Sequence, residues 1–270
     1  MRLFSRSKET PEETNARSLR KAVKQLEYDK IQTNYFYDYT NGIKNWSNHL
    51  SNTRHFINDC ARRCFGRRTC VVLGSGYCLD VPVLELSRMF DNVLLVDIVH
   101  PKHVLKKTRE FSNVKIITED ITKIAVETHN CINRYKDFAA DILICSPNYS
   151  IGNYSDILSD FDFVVSVNTL SFLSQPIIKY LAQLRLVDDI SATALQTFMQ
   201  QYHINMLPKG KSCIISPISE KLYNSDGLQM YDKSIAYIPK EVINEPKEWT
   251  WNYSQNHTER IEYGVKAWEY

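Results

Sequence analysis

The chain lacks any long apolar run. Its first residues, Met1 to Lys8, have no apolar core of the kind that signal peptides carry. Nowhere does the sequence approach the ~18 consecutive apolar residues of a membrane-spanning helix. Internal repeats and low-complexity stretches are lacking as well. We therefore expect a cytoplasmic protein that has no membrane partner.

A strong net charge is also lacking, because 33 Lys and Arg nearly balance 31 Asp and Glu. Residues 1–70 are the exception, with 14 basic and 7 acidic side chains. This basic region could face a phosphate-bearing partner, although a solvated helix surface explains it more simply. Nucleic acid is thus a possible partner but not a favoured one, and nothing in the sequence indicates an oligomeric state.

The seven cysteines lack the spacing of a disulfide scaffold. An odd number in a chain of 270 residues argues for free thiols in a reducing compartment. The series Cys60, Cys64, Cys70 and Cys78 does not match the usual ligand spacing of zinc sites. We expect no metal.

The distribution of apolar residues predicts two regions. From Glu13 to Cys64 the spacing is helical with a break at Gly42, which predicts an N-terminal helical cap over residues 1–65. From Thr69 onward, short apolar runs alternate with helical patterns, as in a parallel sheet covered on both faces. Residues 66–270 are therefore predicted to form an α/β, Rossmann-like, doubly wound domain. Its predicted parallel strands are Thr69–Leu73, Asn92–Val96, Val114–Thr118, Phe161–Val167 and Ser212–Ser216, and its antiparallel closing strands are Glu248–Tyr253 and Tyr263–Trp268.

The residues that follow the first three strands predict a nucleoside site, because ligands of such sheets bind at the carboxyl ends of strands. Gly74-Ser75-Gly76 permits a tight turn with close backbone approach. Asp97, 21 residues after Gly76, can accept hydrogen bonds from both ribose hydroxyls. Asp120 can reach an adenine edge, although a turn with Thr122 is the alternative. A dinucleotide is disfavoured, since Leu79 stands where the fingerprint requires its third glycine.

These segments resemble the class I (Rossmann-like) S-adenosylmethionine-dependent methyltransferases, in particular a poorly characterised bacterial subgroup. The resemblance extends from about Thr69 to the C-terminus and implies a seven-stranded sheet whose last strands are antiparallel. It implies that S-adenosylmethionine is the cofactor, with its methionine part at the Gly74–Gly76 turn. It further implies cofactor contacts at Ile98, Ile121 and Ser166. The segments that carry it are Val71–Gly76, Leu94–Asp97, Ile117–Asp120, Asp162–Asn168 and Leu207–Gly210.

The chain departs from the family at two positions. Val72 replaces the frequent acidic residue before the glycines, and Cys78 replaces a third glycine. We expect Asp80, a plausible N-cap of the next helix, to bind the cofactor's amino group instead. These departures also leave open a non-catalytic Rossmann-like module that binds S-adenosylmethionine or a nucleotide.

Methyl transfer requires mainly that the acceptor be aligned with the cofactor, and it needs a base only if the acceptor carries a proton. Asn168, at the end of the fourth strand, is our first candidate for an acceptor or cofactor contact; helix capping is its alternative. His203 is a weaker candidate for a base. We assign His100 to a loop.

The segment Ser146-Pro147-Asn148-Tyr149 resembles the motif of methyltransferases that act on exocyclic amines of nucleobases. Asn148 departs from that motif, and only 11 residues separate Tyr149 from the next strand. We therefore favour a small-molecule acceptor that enters between the N-terminal helices and the loops around Tyr149 and Asn168. An amino-methyltransferase acting on a nucleobase remains the less favoured alternative.

Overall fold

A computed structural model describes residues 10–122, 124–134, 161–239, 245–256 and 258–270 of the chain. Three described helices precede the sheet, in the region that the sequence predicts to be helical: α1 (Pro11–Gln25), α2 (Tyr28–Asn41) and α3 (Ile43–Arg63). Thr10 caps α1 through a reciprocal hydrogen-bond pair with Glu13. The helical conformation is interrupted at Gly42, between α2 and α3, where the helical pattern of the sequence is also interrupted.

Seven further helices are described between and around the strands. The helices between the first three strands are short, whereas the longest of the seven has 18 residues. The seven are α4 (Val83–Met89), α5 (Lys102–Lys107), the 3-10 turn Thr108–Glu110 that continues α5, α6 (Ile124–Arg134), α7 (Thr169–Phe172), α8 (Gln175–Gln183) and α9 (Asp189–Met206).

The described part of the chain forms one sheet of eight strands: β1 (Thr69–Leu73), β2 (Asn92–Asp97), β3 (Val114–Thr118), β4 (Phe163–Val167), β5 (Ser212–Asn224), β6 (Gln229–Ser234), β7 (Lys247–Gln255) and β8 (Glu259–Glu269). Their order in the sheet is β3-β2-β1-β4-β5-β8-β7, and β6 pairs with β5 outside this path. The first five strands in this order are parallel, whereas β8 and β7 are antiparallel. This arrangement confirms the predicted Rossmann-like sheet with antiparallel closing strands.

The sheet has one strand more than the seven predicted, because β5 continues well beyond its buried part. Its first six residues are buried, as the apolar pattern predicts, but the strand runs on as a half-buried ribbon to Asn224. That extension pairs with β6, whose residues are mostly exposed and polar and so carry no apolar alternation that would predict a strand.

The core lies on both faces of the sheet. On one face, Trp46 and Ile57 of α3 pack with Val72 and Val165 of the central strands. On the other face, Val71 of β1 packs with Ile204 of α9. Because α3 shares a core with β1 and β4, the N-terminal helices and the sheet are packed as one body. Within the described part of the chain, no helix combines the length and the apolar character needed to cross a membrane.

Candidate functional site

A cavity of about 1010 Å³ opens at the carboxyl ends of the parallel strands. It lies where the strand order reverses between β1 and β4, which is the usual ligand site of such sheets. Of the residues predicted for the site, nine line this cavity: Gly74, Ser75, Gly76, Asp80, Asp97, Ile98, Asp120, Ile121 and Asn168. The sheet thus brings together residues that are far apart in the sequence.

The turn after β1 requires glycine at Gly74. Its φ is +81°, and a Cβ there would lie 2.0 Å from Thr169 Oγ1 and 2.7 Å from the Val167 carbonyl oxygen. Cys78, which replaces a third glycine, also has a positive φ of 53°. The backbone therefore keeps a glycine-like conformation at a position where the sequence has a larger residue.

His100 contacts this turn, a role that sequence reasoning missed. Its Nε2 lies 2.9 Å from Ser75 Oγ, and its Nδ1 lies 3.4 Å from Thr118 Oγ1. Burial lowers the pKa of His100 to about 4, so the ring is neutral near pH 7. The imidazole thus connects the glycine turn to the ends of β2 and β3.

Asp97 is buried at the end of β2 and faces the glycine turn. Its Oδ2 accepts a hydrogen bond from the Gly76 N–H (2.8 Å), and its Oδ1 accepts one from the Val99 N–H (3.3 Å). Burial raises the pKa of Asp97 to about 6, more than these two hydrogen bonds lower it. Among the described residues, no basic side chain forms an ion pair with Asp97 or with Asp80.

Asp120 both lines the cavity and forms the local turn that was its alternative interpretation. Its Oδ1 accepts hydrogen bonds from Thr122 N–H (2.9 Å) and Thr122 Oγ1 (2.7 Å), and its Oδ2 accepts one from Ala125 N–H (2.7 Å).

The predicted N-cap role of Asp80 is wrong. Helix α4 begins at Val83 with Pro82 at the cap position, and no side chain caps it. Two residues separate Asp80 from the first helical turn, and its carboxylate is buried instead, with Oδ2 lying 2.6 Å from Asn168 Nδ2. Burial raises the pKa of Asp80 to about 6. Its place in the cavity is compatible with the predicted contact to an amino group.

Asn168 does not cap the helix that follows it. It has a positive φ of 51°, and its side chain forms no capping hydrogen bond to α7. Its Nδ2 lies 3.3 Å from His49 Nε2 as well as near Asp80, while its Oδ1 is buried with no hydrogen-bond partner. The capping alternative is therefore excluded for this side chain.

Ser166 and His203 contact each other instead of the cavity. Ser166 Oγ lies 2.7 Å from His203 Nε2, and both residues are fully buried between β4 and α9. Side chains alternate along a strand, so Ser166 faces away from the cavity, which its neighbour Val167 lines. Burial lowers the pKa of His203 to about 4. This arrangement gives no support to a cofactor contact at Ser166 or to a base at His203.

The N-terminal helices supply one wall of the cavity. Tyr28, Ile31, Gln32 and Tyr35 of α2 line it, although none of the residues of this helix is buried. The same helix also reaches the core that α3 and the sheet share. Tyr35 both packs against that core and lines the cavity, and the neighbouring Asp80 carboxylate adds to the burial that raises its pKa.

The far end of the cavity is aromatic and was not predicted. Tyr253 and Tyr263, from the antiparallel strands, line it with their ring centroids 5.1 Å apart. Tyr253 donates a hydrogen bond to Asp38 Oδ2 (2.9 Å). Glu220 of the β5 extension accepts one from Tyr231 (2.6 Å) and pairs with Lys233 (2.8 Å). Charged groups at this end are therefore already paired with each other.

Two predictions concern residues or sites outside this cavity. The segment Ser146-Pro147-Asn148-Tyr149 lies outside the described residues, so its proposed place at the cavity mouth stays a prediction. In the described ranges no group of three or more His, Cys, Asp and Glu side chains is arranged to hold a metal ion. The cysteines there are free thiols: Cys60, Cys64, Cys70, Cys78, Cys131 and Cys213.

No family model and no curated protein matches the chain. Among solved structures, it is similar to DhpI in complex with SAH, at 11% identity over 91% of this chain and 95% of that one, with a TM-score of 0.37. A 1,6-didemethyltoxoflavin-N1-methyltransferase from Burkholderia thailandensis is 10% identical over 97% of this chain and 92% of that one, with a TM-score of 0.36. An rRNA methylase from Streptococcus thermophilus is 11% identical over 82% of this chain and 95% of that one, with a TM-score of 0.35. At these low scores the likenesses carry no argument about the function of this chain.

Proposed function

We propose that the chain is an S-adenosylmethionine-dependent methyltransferase that acts on a small molecule. The observation that carries this proposal is the convergence of the Gly74–Gly76 turn, Asp97 and Asp120 on one cavity at the strand-order reversal. These three features follow three successive strands, in the order that adenosine recognition in such a sheet requires.

The residues of the cavity fit this cofactor in charge as well as in shape. Asp80 and Asp97 are buried carboxylates without an ion-pair partner among the described residues, so the cavity favours a positively charged ligand. When bound, S-adenosylmethionine supplies an electrophilic methyl group on a sulfonium that carries such a charge. One end of the buried Asn168 carboxamide lacks a partner, and this is a second sign that the site is built for a ligand.

Each of these residues has a proposed role. The Gly74–Gly76 turn holds the methionine part, and Asp80 accepts hydrogen bonds from its amino group. Asp97 accepts hydrogen bonds from the ribose hydroxyls, while Asp120 and Ile121 bind the adenine edge. Asn168 contacts the acceptor or the cofactor near the reacting group.

A small-molecule acceptor is favoured by the size and walls of the cavity. Its volume of about 1010 Å³ lies at the upper end of the range for small-molecule pockets, which is ~300–1,000 Å³. The cofactor therefore leaves room for a second small ligand against Tyr35, Tyr253 and Tyr263. The aromatic rings would bind its apolar surface and hold it in alignment with the methyl group.

A thermal-shift titration tests cofactor binding. A ligand at 100 times its dissociation constant stabilises a protein by ~2.7 kcal/mol, so S-adenosylmethionine and S-adenosylhomocysteine should both raise the melting temperature. No shift at millimolar cofactor would refute the proposal. Calorimetry on Asp80→Ala tests the amino-group contact, which fails if the affinity is unchanged.

The rival function is a binding module of the same fold that does not transfer methyl groups. Val72 and Cys78, which depart from the family's glycine loop, are the observations that favour it. The two functions differ in whether bound S-adenosylmethionine is converted. Incubation with methyl-labelled S-adenosylmethionine and small-molecule extracts distinguishes them, because only an enzyme forms S-adenosylhomocysteine together with a labelled product.

A further inference from the structure

Four side chains from separate parts of the chain form a row that ends at the cavity. Trp249 Nε1 of β7 donates a hydrogen bond to His49 Nδ1 of α3 (3.1 Å). His49 Nε2 lies 3.3 Å from the Asn168 carboxamide, which in turn lies 2.6 Å from Asp80 Oδ2. Trp251 stacks flat on the His49 ring, with centroids 3.8 Å apart, but it forms no hydrogen bond with that ring.

The indole of Trp249 determines which nitrogen of His49 carries the proton. Indole N–H is only a donor, so His49 Nδ1 must be the acceptor and is unprotonated. Burial lowers the pKa of His49 to about 3, so the ring is neutral near pH 7. A neutral imidazole with unprotonated Nδ1 carries its proton on Nε2. His49 therefore presents an N–H donor to Asn168.

The hydrogen-bond pattern then determines which end of the Asn168 carboxamide faces His49. If its NH₂ faced His49, two donors would meet at 3.3 Å. With the amide turned by half a rotation, its oxygen accepts from His49 Nε2–H. The end of the amide that faces neither His49 nor Asp80 is buried without a partner, so the rotation breaks no hydrogen bond at that end.

The same rotation changes the contact with Asp80. The amide oxygen now lies 2.6 Å from Asp80 Oδ2, and two oxygens this close need a proton between them. The distance of 2.6 Å between the two atoms agrees with a shared proton, because O–H···O bonds have their commonest length at ~2.7 Å, whereas N–H···O bonds have theirs at ~2.9 Å.

We infer that His49 and Trp249 are positioning residues that hold the Asn168 carboxamide with its oxygen toward His49, and that in the ligand-free protein in acidic solution Asp80 carries a proton donated to this oxygen. When a cationic group enters the cavity, Asp80 releases that proton to solvent and becomes a carboxylate. This release rests on the proposed function, whereas the arrangement in the ligand-free protein does not.

The charged groups around Asp80 have opposite effects on its ionisation. Arg54 on α3 favours the ionised carboxylate, whereas Asp97 on β2 repels a second negative charge. Tyr35 on α2 and Cys78 in the glycine turn are neutral near pH 7, because burial raises the pKa of both. Burial has the largest effect on Asp80 and favours the protonated form.

Nuclear magnetic resonance on the ligand-free protein tests the inference with two matched variants. The ¹⁵N shifts of the His49 ring report its tautomer, and a ¹³C titration of aspartate carboxyls, assigned with Asp80→Asn, reports the midpoint of Asp80. Trp249→Phe removes the indole donor, which frees the His49 tautomer and lets Asn168 turn its NH₂ to Asp80. We expect the midpoint to fall by about one unit, a tenfold loss in proton affinity.

Trp251→Phe is the control, because it removes an indole that packs on the same ring without bonding to it. It should leave the His49 tautomer unchanged and shift the Asp80 midpoint much less. Equal shifts in the two variants, or a wild-type His49 protonated on Nδ1, would overturn the inference. The wild-type tautomer is informative even if a variant fails to fold. No cofactor is present, so failure of S-adenosylmethionine binding would be a separate result.

Discussion

The affinity for S-adenosylmethionine should rise steeply between pH 5 and pH 7. Asp80 and Asp97 must be ionised to bind a cationic cofactor, and burial raises the pKa of each to about 6 in the ligand-free protein. Each carboxylate is thus ionised in about one molecule in eleven at pH 5 and in about ten of eleven at pH 7. The affinity gain is about tenfold for each carboxylate, or about a hundredfold for both.

The direction of this pH dependence follows from the raised pKa of both carboxyls. A carboxyl whose folded pKa is raised stabilises the ligand-free fold below its unfolded pKa of 3.8, and this contribution is lost as the pH rises through about 6. A cationic ligand favours the ionised form and so reverses the preference. Binding should therefore strengthen over the same pH range in which these two groups make the ligand-free fold less stable.

Isothermal titration calorimetry at pH 5, 6 and 7 and constant ionic strength measures this dependence. Circular dichroism at each pH checks that the protein stays folded. Asp80→Asn is the matched variant, since it removes one titrating group of nearly the same size. Its affinity should change only about tenfold over the range, because Asp97 alone remains. An affinity of the wild type that does not change with pH would refute the reasoning.

Two further substitutions test the site and the turn. Asp97→Ala should weaken S-adenosylmethionine binding by at least about tenfold, since a hydrogen bond to a charged group contributes ~1.5–3 kcal/mol. The control variant Asp91→Ala, at an exposed position, should leave the affinity measured by calorimetry unchanged. Equal affinities of the two variants would mean that the ribose assignment is wrong. Gly74→Ala should lower the free energy of unfolding in urea far more than Gly210→Ala. Both glycines have positive φ, and the strain common to both costs about 1–2 kcal/mol, but a Cβ at Gly210 meets nothing within 4 Å. Similar losses in the two variants would contradict the close packing around Gly74.

The parts of the fold that the sequence predicts are those with a local signal. The run from Thr69 to Leu73 is uninterrupted and ends at a glycine, so both the buried strand and the position of the site after it could be inferred. The same holds for Asp97, which ends the next apolar run. Gly42 marks the break between α2 and α3 for an equally local reason.

The remaining parts depend on contacts between distant residues. His49 and Trp249 are 200 positions apart, and no local pattern indicates that they meet. Asp80 has the residue type and position of a helix cap, but its contact with Asn168 outweighs that local preference. For Ser166, the family resemblance named a residue at the end of β4, but the alternation of side chains along β4 turns this residue toward α9.

Helix α2 forms a wall of the cavity without contributing a buried side chain to the protein core. Its core contacts are made by partly buried tyrosines, and a segment without fully buried apolar side chains opens locally at a lower free-energy cost than a core element. A ligand against Tyr28, Ile31 and Tyr35 would provide the apolar surface that this helix otherwise lacks. Cavity occupancy and helix order would then be thermodynamically coupled, so that a bound ligand would stabilise α2.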